Sequence, residues 1–461
     1  MKKIAAFLLA AVVVVSLLGS CAKEQETNGK EPSSGTNAGE AGSGSSSEKT
    51  KITVLFISQS LAGAPGHEGR FDYASRVLAE TYGIEVERYH VPGYGPVTKF
   101  FDSNESSVMF FEKLYAEMLA GKGPDIFLSG PFDGFWDLPK KMDAGAFYDL
   151  NEFIENDGDF DITEYEEILM NEGLHKGKRY IFPLSYAVYS LLISKEKYEA
   201  LGLLAEDFST YERFLSTWED MQRNGNLKMM AQRGWGSSFI EAQGWLGECV
   251  DYESGTVDFD LPSFRRVVEL LQREHRLENR IGPLEEFETY PESLFHMPTF
   301  FTLMFTPLYS MDTKDMLLLP VPNANGNNTA QIMEYCMMSS STENPDAAWL
   351  FLKTFLSDEC QRELMQRQFH NYVTTKSALI DEDIETKIAI KPIHRPELMY
   401  DDDVIAMIKE IYLGYDNAVI NYERGRDLYT KMSDYIESNE DQDFDSFKAE
   451  LENYYRIYLT E

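Results

Sequence analysis

From Lys51 onward, β-prone runs alternate with stretches of helical period, and this alternation constrains the fold more than any other feature of the chain. Ile52-Thr-Val-Leu-Phe-Ile57 is apolar at nearly every position, as a strand buried on both faces must be. A helical stretch around Phe71 to Tyr82 is closed by Gly83, and Ile84 to Val91 then reads as a second strand. Val108 to Ala120 predicts another helix, stopped by Gly121-Lys-Gly-Pro124 and leading into the strand Asp125-Ile-Phe-Leu128. Such spacing predicts an α/β chain with parallel strands. Further on, Tyr180-Ile-Phe-Pro183 leads to a β-prone run from Val188 to Ser194. Val257-Asp-Phe-Asp260 precedes a helix capped near Asp260 and running through Phe264 to Arg273. Met316-Leu-Leu-Leu-Pro-Val-Pro322 is a strand broken by prolines, which places it at a sheet edge or at a crossing between domains. Pro345 to Leu356 and Glu359 to Arg367 predict amphipathic helices, and Asp403 to Glu461 reads as helical almost throughout.

The 461 residues suffice for two or three domains. Against 77 Asp and Glu there are only 42 Lys and Arg, a net charge of −35. That balance excludes nucleic acid as a partner, since phosphate binding needs clustered cations, and excludes adsorption to an anionic membrane through basic patches. Membrane attachment must then come from a segment or a lipid. Lys2 and Lys3 precede an apolar run from Ile4 to Leu18, too short for a spanning helix of about 20 residues but suited to an export signal over residues 1–20. The run ends in Leu18-Gly19-Ser20-Cys21, which resembles the lipobox of bacterial lipoproteins. That resemblance implies a signal peptide removed before Cys21, lipid on the Cys21 thiol, and anchoring on the extracellular face of the cell membrane. Residues 21–50 are then the lipidated cysteine and a flexible tether, because Ala22 to Thr50 holds almost nothing apolar. The other cysteines, Cys249, Cys336 and Cys360, have neither zinc spacing nor a disulfide framework and read as small buried hydrophobes.

The order of further landmarks resembles the bacterial extracellular solute-binding family to which maltose-binding protein belongs. After the opening strand come Ala120-Gly-Lys-Gly-Pro-Asp-Ile126, Gly145-Ala-Phe-Tyr-Asp-Leu150, and Gly177-Lys-Arg-Tyr-Ile-Phe-Pro183 with Leu192-Ile-Ser-Lys195. Val257-Asp-Phe-Asp260, Leu319-Pro-Val-Pro322 and Asn344-Pro-Asp-Ala-Ala-Trp-Leu-Phe-Leu352 follow, and Tyr412 precedes Ala418-Val-Ile-Asn421. The resemblance implies an α/β, two-lobed periplasmic-binding-protein-like fold of type II, with ligand held between lobes joined by several chain crossings at a hinge. On that pattern residues 51–183 and 323–369 form lobe 1, residues 189–316 and 380–461 form lobe 2, and Pro183 and Pro320-Val-Pro322 stiffen the pivots. It further implies a monomer that captures a solute, a sugar in the first instance, and passes it to ABC permease subunits. Two departures stand out. Phe295-His-Met-Pro-Thr-Phe-Phe-Thr-Leu-Met304 replaces the family's small-residue segment, and Ser185, Tyr186 and Ala187 stand where sugar-binding members often carry a carboxylate.

A sugar cleft needs flat apolar faces for stacking and a few amides or carboxylates for hydroxyls. Gln59 follows the first strand, and Asp133 and Trp136 follow the third, in the two loops where the family places ligand contacts. Trp235 and Trp245 lie in a glycine-rich stretch and are candidates for a stacking platform. Tyr186 and Tyr189 flank the first crossing, and Tyr412 carries over as a stacking candidate from the matching helix. The runs Asp157-Gly-Asp-Phe-Asp161 and Asp441-Gln-Asp-Phe-Asp445 mimic part of a calcium loop but lack its glycine, and read as solvated helix N-termini. No metal, cofactor or catalytic residue is expected, since no nucleophile elbow, zinc motif or phosphate loop occurs. Two alternatives stand beside the binding protein: a secreted polysaccharide-acting lipoprotein hydrolase, and a ligand sensor for a surface kinase.

Overall fold

A computed structural model of the protein describes residues 50–57, 65–91, 104–130, 138–188, 190–225, 228–230, 245–281, 293–295, 298–299, 316–322, 324, 328–367, 372–376, 402–420, 424–438 and 443–460. The chain opens with β1 (Lys51–Phe56), then α1 (Pro65–Val77), whose end widens into a π-turn over Leu78–Tyr82. Gly83 stops it with a φ of 68°, which a side chain would resist. β2 (Glu85–Arg88), α2 (Asn104–Leu119) and β3 (Ile126–Ser129) follow. β2, β1 and β3 are parallel neighbours, with Val54 opposite both Arg88 and Ile126.

β4 (Phe182–Val188) and β5 (Ser190–Ser194) divide what reads as one β-prone run. α3 (Tyr211–Gly225), α4 (Pro262–Ile281) and β6 (Met316–Pro320) come next, α4 reaching beyond the expected Arg273. The ten residues of β7 (Thr329–Met338) are all buried. The chain ends with α5 (Pro345–Leu356), α6 (Asp358–Arg367), β8 (Tyr372–Val373), α7 (Asp402–Leu413), β9 (Asn417–Val419), α8 (Arg424–Glu437) and α9 (Phe444–Thr460).

The main sheet runs β8-β4-β7-β3-β1-β2, with β9 beside β7. It is mixed, because β7 lies antiparallel to both β3 and β4. Phe56, Leu128, Leu184 and Met338 on one face pack against Phe71 of α1 and Phe351 and Phe355 of α5. Leu55, Phe127, Tyr186 and Ile332 pack on the other face against Leu114 of α2 and Ile411 of α7. A separate core gathers Leu191 and Ile193 of β5, Trp218 of α3, Val267 of α4, Met432 of α8 and Tyr455 of α9. β5 pairs antiparallel with β6, Leu192 opposite Leu318, in the small sheet of that second core. The chain therefore passes from one core to the other between β4 and β5, back between β6 and β7, and across once more between β9 and α8.

Several placements differ from the sequence reading. Pro183 is the second residue of β4 and pairs with Tyr335, so it lies inside the first sheet rather than at a pivot. Near a strand's start its missing N–H costs the ladder little. The crossing falls later, at Val188–Ser190. The C-terminal region is not wholly helical, and Ile411, Tyr412, Ala418 and Ile420 join the first core rather than the second. On β7, β3 reaches only Tyr335–Met338, which leaves the N-terminal half of that edge of β7 open, and β9 fills it at Thr329–Gln331. As read from sequence, the three cysteines are free and buried. Asp443 accepts from the Ser446 amide at 2.8 Å and caps α9. Asp157 instead follows a helix end, where Lys353 and Trp349 donate to it.

Candidate functional site

In an α/β sheet the groups that meet a ligand sit beyond the carboxyl ends of the strands. β1 and β3 end at Phe56 and Ser129. Gln59, Asp133 and Trp136, which follow those strands in sequence, lie outside the described residues, as do Tyr189, Trp235 and Cys21.

The remaining three candidates are described, and all are buried. Tyr186 of β4 donates from its hydroxyl to the Tyr412 carbonyl at 3.0 Å, and its ring meets Tyr415 edge-on at 5.0 Å. Burial pushes the Tyr412 and Tyr415 hydroxyls well above the usual tyrosine range. The structure thus brings Tyr186 and Tyr412 together, through a backbone carbonyl rather than through two faces open to a ligand. Asn328 completes this knot: its side-chain amide donates to the Ile411 carbonyl, and its backbone exchanges hydrogen bonds with Asp416 at 3.0 Å each way. The end of α7 is so tied to β4 and to the residue just before β7. Trp245 belongs to the second core, between Tyr211 at 5.7 Å and Phe264 at 5.3 Å, apart from the two tyrosines.

Sequence reading missed the charged pair beneath this knot. Arg70 of α1 places Nη1 3.3 Å from Glu334 Oε2, and Ser185 of β4 donates to the same oxygen at 2.8 Å. The guanidinium also stacks 4.3 Å over Phe355, and both side chains are buried. One signal was available: a lone glutamate inside Thr-Ala-Gln-Ile-Met-Glu-Tyr-Cys-Met-Met must find a cation or stay neutral. Register slips on either side of Glu334 in the β4–β7 ladder. Gln331, opposite Ala187, is buried with no hydrogen-bond partner for its amide among the described residues. Among those residues no group of three or more His, Cys, Asp and Glu is placed to hold a metal, and no helix is long and apolar enough to cross a membrane.

The architecture matches solved structures closely enough to define its class. An ABC substrate-binding protein from Listeria monocytogenes in complex with cycloalternan aligns over 90% of this chain and 100% of its own, with a TM-score of 0.56 at 14% identity. The cyclic alpha-maltosyl-1,6-maltose binding protein of Arthrobacter globiformis aligns over 89% and 100%, with a TM-score of 0.56 at 15% identity. The sugar-binding protein MalE of Xanthomonas citri aligns over 89% and 98%, with a TM-score of 0.58 at 12% identity. The fold is the two-lobed, type II periplasmic-binding fold. No family model matches the sequence, and neither does any curated protein.

Proposed function

We propose that this chain is an extracellular solute-binding lipoprotein that captures a carbohydrate by lobe closure and hands it, chemically unchanged, to an ABC permease. The observation that carries the reading is the set of three crossings, Val188–Ser190, Pro320–Thr329 and the passage from β9 to α8, which join two separately packed cores. Few covalent links between independent cores make rotation about those links the softest motion available. The neighbours support a sugar as guest, since their names record cycloalternan, maltosyl-maltose and sugar binding. Gln59, Asp133, Trp136, Tyr189 and Trp235 are the proposed direct contacts. Tyr186, Tyr412 and Trp245, being buried, act through the walls they support. Cys21 carries the lipid that holds the protein at the cell surface.

Thermal unfolding across a panel of cyclic and linear oligosaccharides tests this reading. A guest at a hundred times its dissociation constant adds about 2.7 kcal/mol of stability. An unmoved transition with every saccharide, at millimolar concentration, overturns it.

A further inference from the structure

The hairpin Leu174–Arg179 turns on Lys176 and Gly177, with φ values of 50° and 76°. A two-residue turn with both φ positive favours Asn-Gly or Gly-Gly, because other side chains are strained at its first position. Lys176 is the only non-glycine residue with positive φ among the described ones. Such a residue persists where its surroundings over-determine it. Here they do. Lys176 Nζ donates to both Asp143 oxygens, at 3.0 and 2.9 Å, and His175 Nε2 lies 3.0 Å from the same carboxylate. Its backbone N–H donates to Glu253 Oε1 at 2.8 Å.

These contacts join different cores. Met142, beside Asp143, and Tyr180 and Ile181, just after the hairpin, belong to the first core, whereas Val250 and Tyr252 beside Glu253 pack in the second. A second bridge makes the same passage. Lys140, on the helix Leu138–Asp143, holds Nζ 4.1 Å over the ring of Tyr458, and Tyr458 meets Tyr252 edge-on at 6.2 Å. Two cationic residues of lobe 1 therefore converge on one patch of lobe 2, Tyr252, Glu253 and Tyr458, without using any of the three crossings.

We infer that this patch is an interlobe latch. The Lys176 amide–Glu253 bond and the Lys140–Tyr458 contact fix the angle between the lobes, and rotation about the crossings must break or slide them. They set how far the lobes rest from the solute-bound angle, and so how much of a solute's binding energy goes into rotation. The inference rests on the proposed lobe closure. Each contact is of a kind that shifts an equilibrium about two- to tenfold.

Hydrogen–deuterium exchange of the full chain, with no saccharide added, tests the latch separately from the choice of guest. In the unsubstituted protein the Lys176 amide exchanges slowly. Glu253→Ala, at an exposed position, speeds that amide about tenfold or more and speeds peptides spanning 186–192 and 317–322 about two- to tenfold. Glu253→Gln, which keeps a carbonyl acceptor, follows the unsubstituted protein. Tyr458→Leu loosens the crossing peptides and Tyr458→Phe does not, with β1 and α4 unchanged in every variant as the control for folding. Fast exchange of the Lys176 amide at the outset, or a freed hairpin with unaltered crossing peptides, overturns the latch while leaving solute capture standing. A latch that behaves as expected beside an unresponsive sugar panel would instead overturn the proposed guest.

Discussion

Arg70 and Glu334 show how much of lobe 1 rests on single residues. Each neutralises a charge that burial would otherwise make expensive, and Ser185 supplies a further hydrogen bond. Arg70→Met strands the Glu334 carboxylate and should cost about 3–5 kcal/mol in urea unfolding, whereas Arg70→Met combined with Glu334→Gln should cost clearly less. Equal losses in single and double variants would show that packing, not charge, sets the effect. Glu172 is the opposite case, a half-buried carboxyl that burial pushes up from 4.5 to about 7. Its neutral form is favoured in the fold, so stability falls as pH rises between those two values and the loss is complete above the higher one. Glu172→Gln should therefore match the unsubstituted protein near pH 4 and exceed it increasingly up to about pH 8, as melting temperatures at successive pH values will show. A pH-independent difference would refute the shift. Asp143 runs the other way: burial alone would raise it, but Lys176 and His175 outweigh that and hold it below the usual carboxylate range.

Among the elements, α7 and β9 do most to join the hinge to the first core. The Tyr186 hydroxyl bonded to the end of α7 makes this a specific joint, and Tyr186→Phe removes that bond while keeping the ring. The expected loss is about 0.5–1.5 kcal/mol, with faster amide exchange in α7 but not in α4. Exchange that quickens in both elements would point to general destabilisation instead. The helices α1, α2, α5 and α6 and the strands β1 and β3 are legible in sequence, because their apolar patterns are clear, with Gly83 and Gly121 after α1 and α2 and Pro345 opening α5. β9 is not. Three residues carry no measurable period, and Asn417–Val419 becomes a strand only because β7 offers an open edge beside the end of the short β3. The break between β4 and β5 is hidden for a related reason: both sides are β-prone, and only the separation of the two cores shows where the run must change sheets.

For the whole molecule, the charge of −35 makes self-repulsion a term in its stability. Raising sodium chloride from about 10 to 300 mM shortens the screening length from about 30 Å to well under 10 Å, so the melting temperature should rise. A fall would mean that screened ion pairs outweigh the repulsion. Among the site candidates, sequence reading picked aromatic residues by type and position, but a tyrosine that stacks on a sugar and one that seals a hinge look alike in one dimension. Tyr186 and Tyr412 are told apart from exposed platforms only by what lies around them, as is Trp245 in the second core. By itself the sequence determined the strand–helix alternation, the acidic charge and the burial of the cysteines, since each follows from local pattern or composition. Only the tertiary structure decided where the chain crosses between cores, that Arg70 answers Glu334 and that Lys176 reaches Glu253. Those contacts join residues 264 and 77 positions apart, and no local preference records which distant partner a side chain will meet.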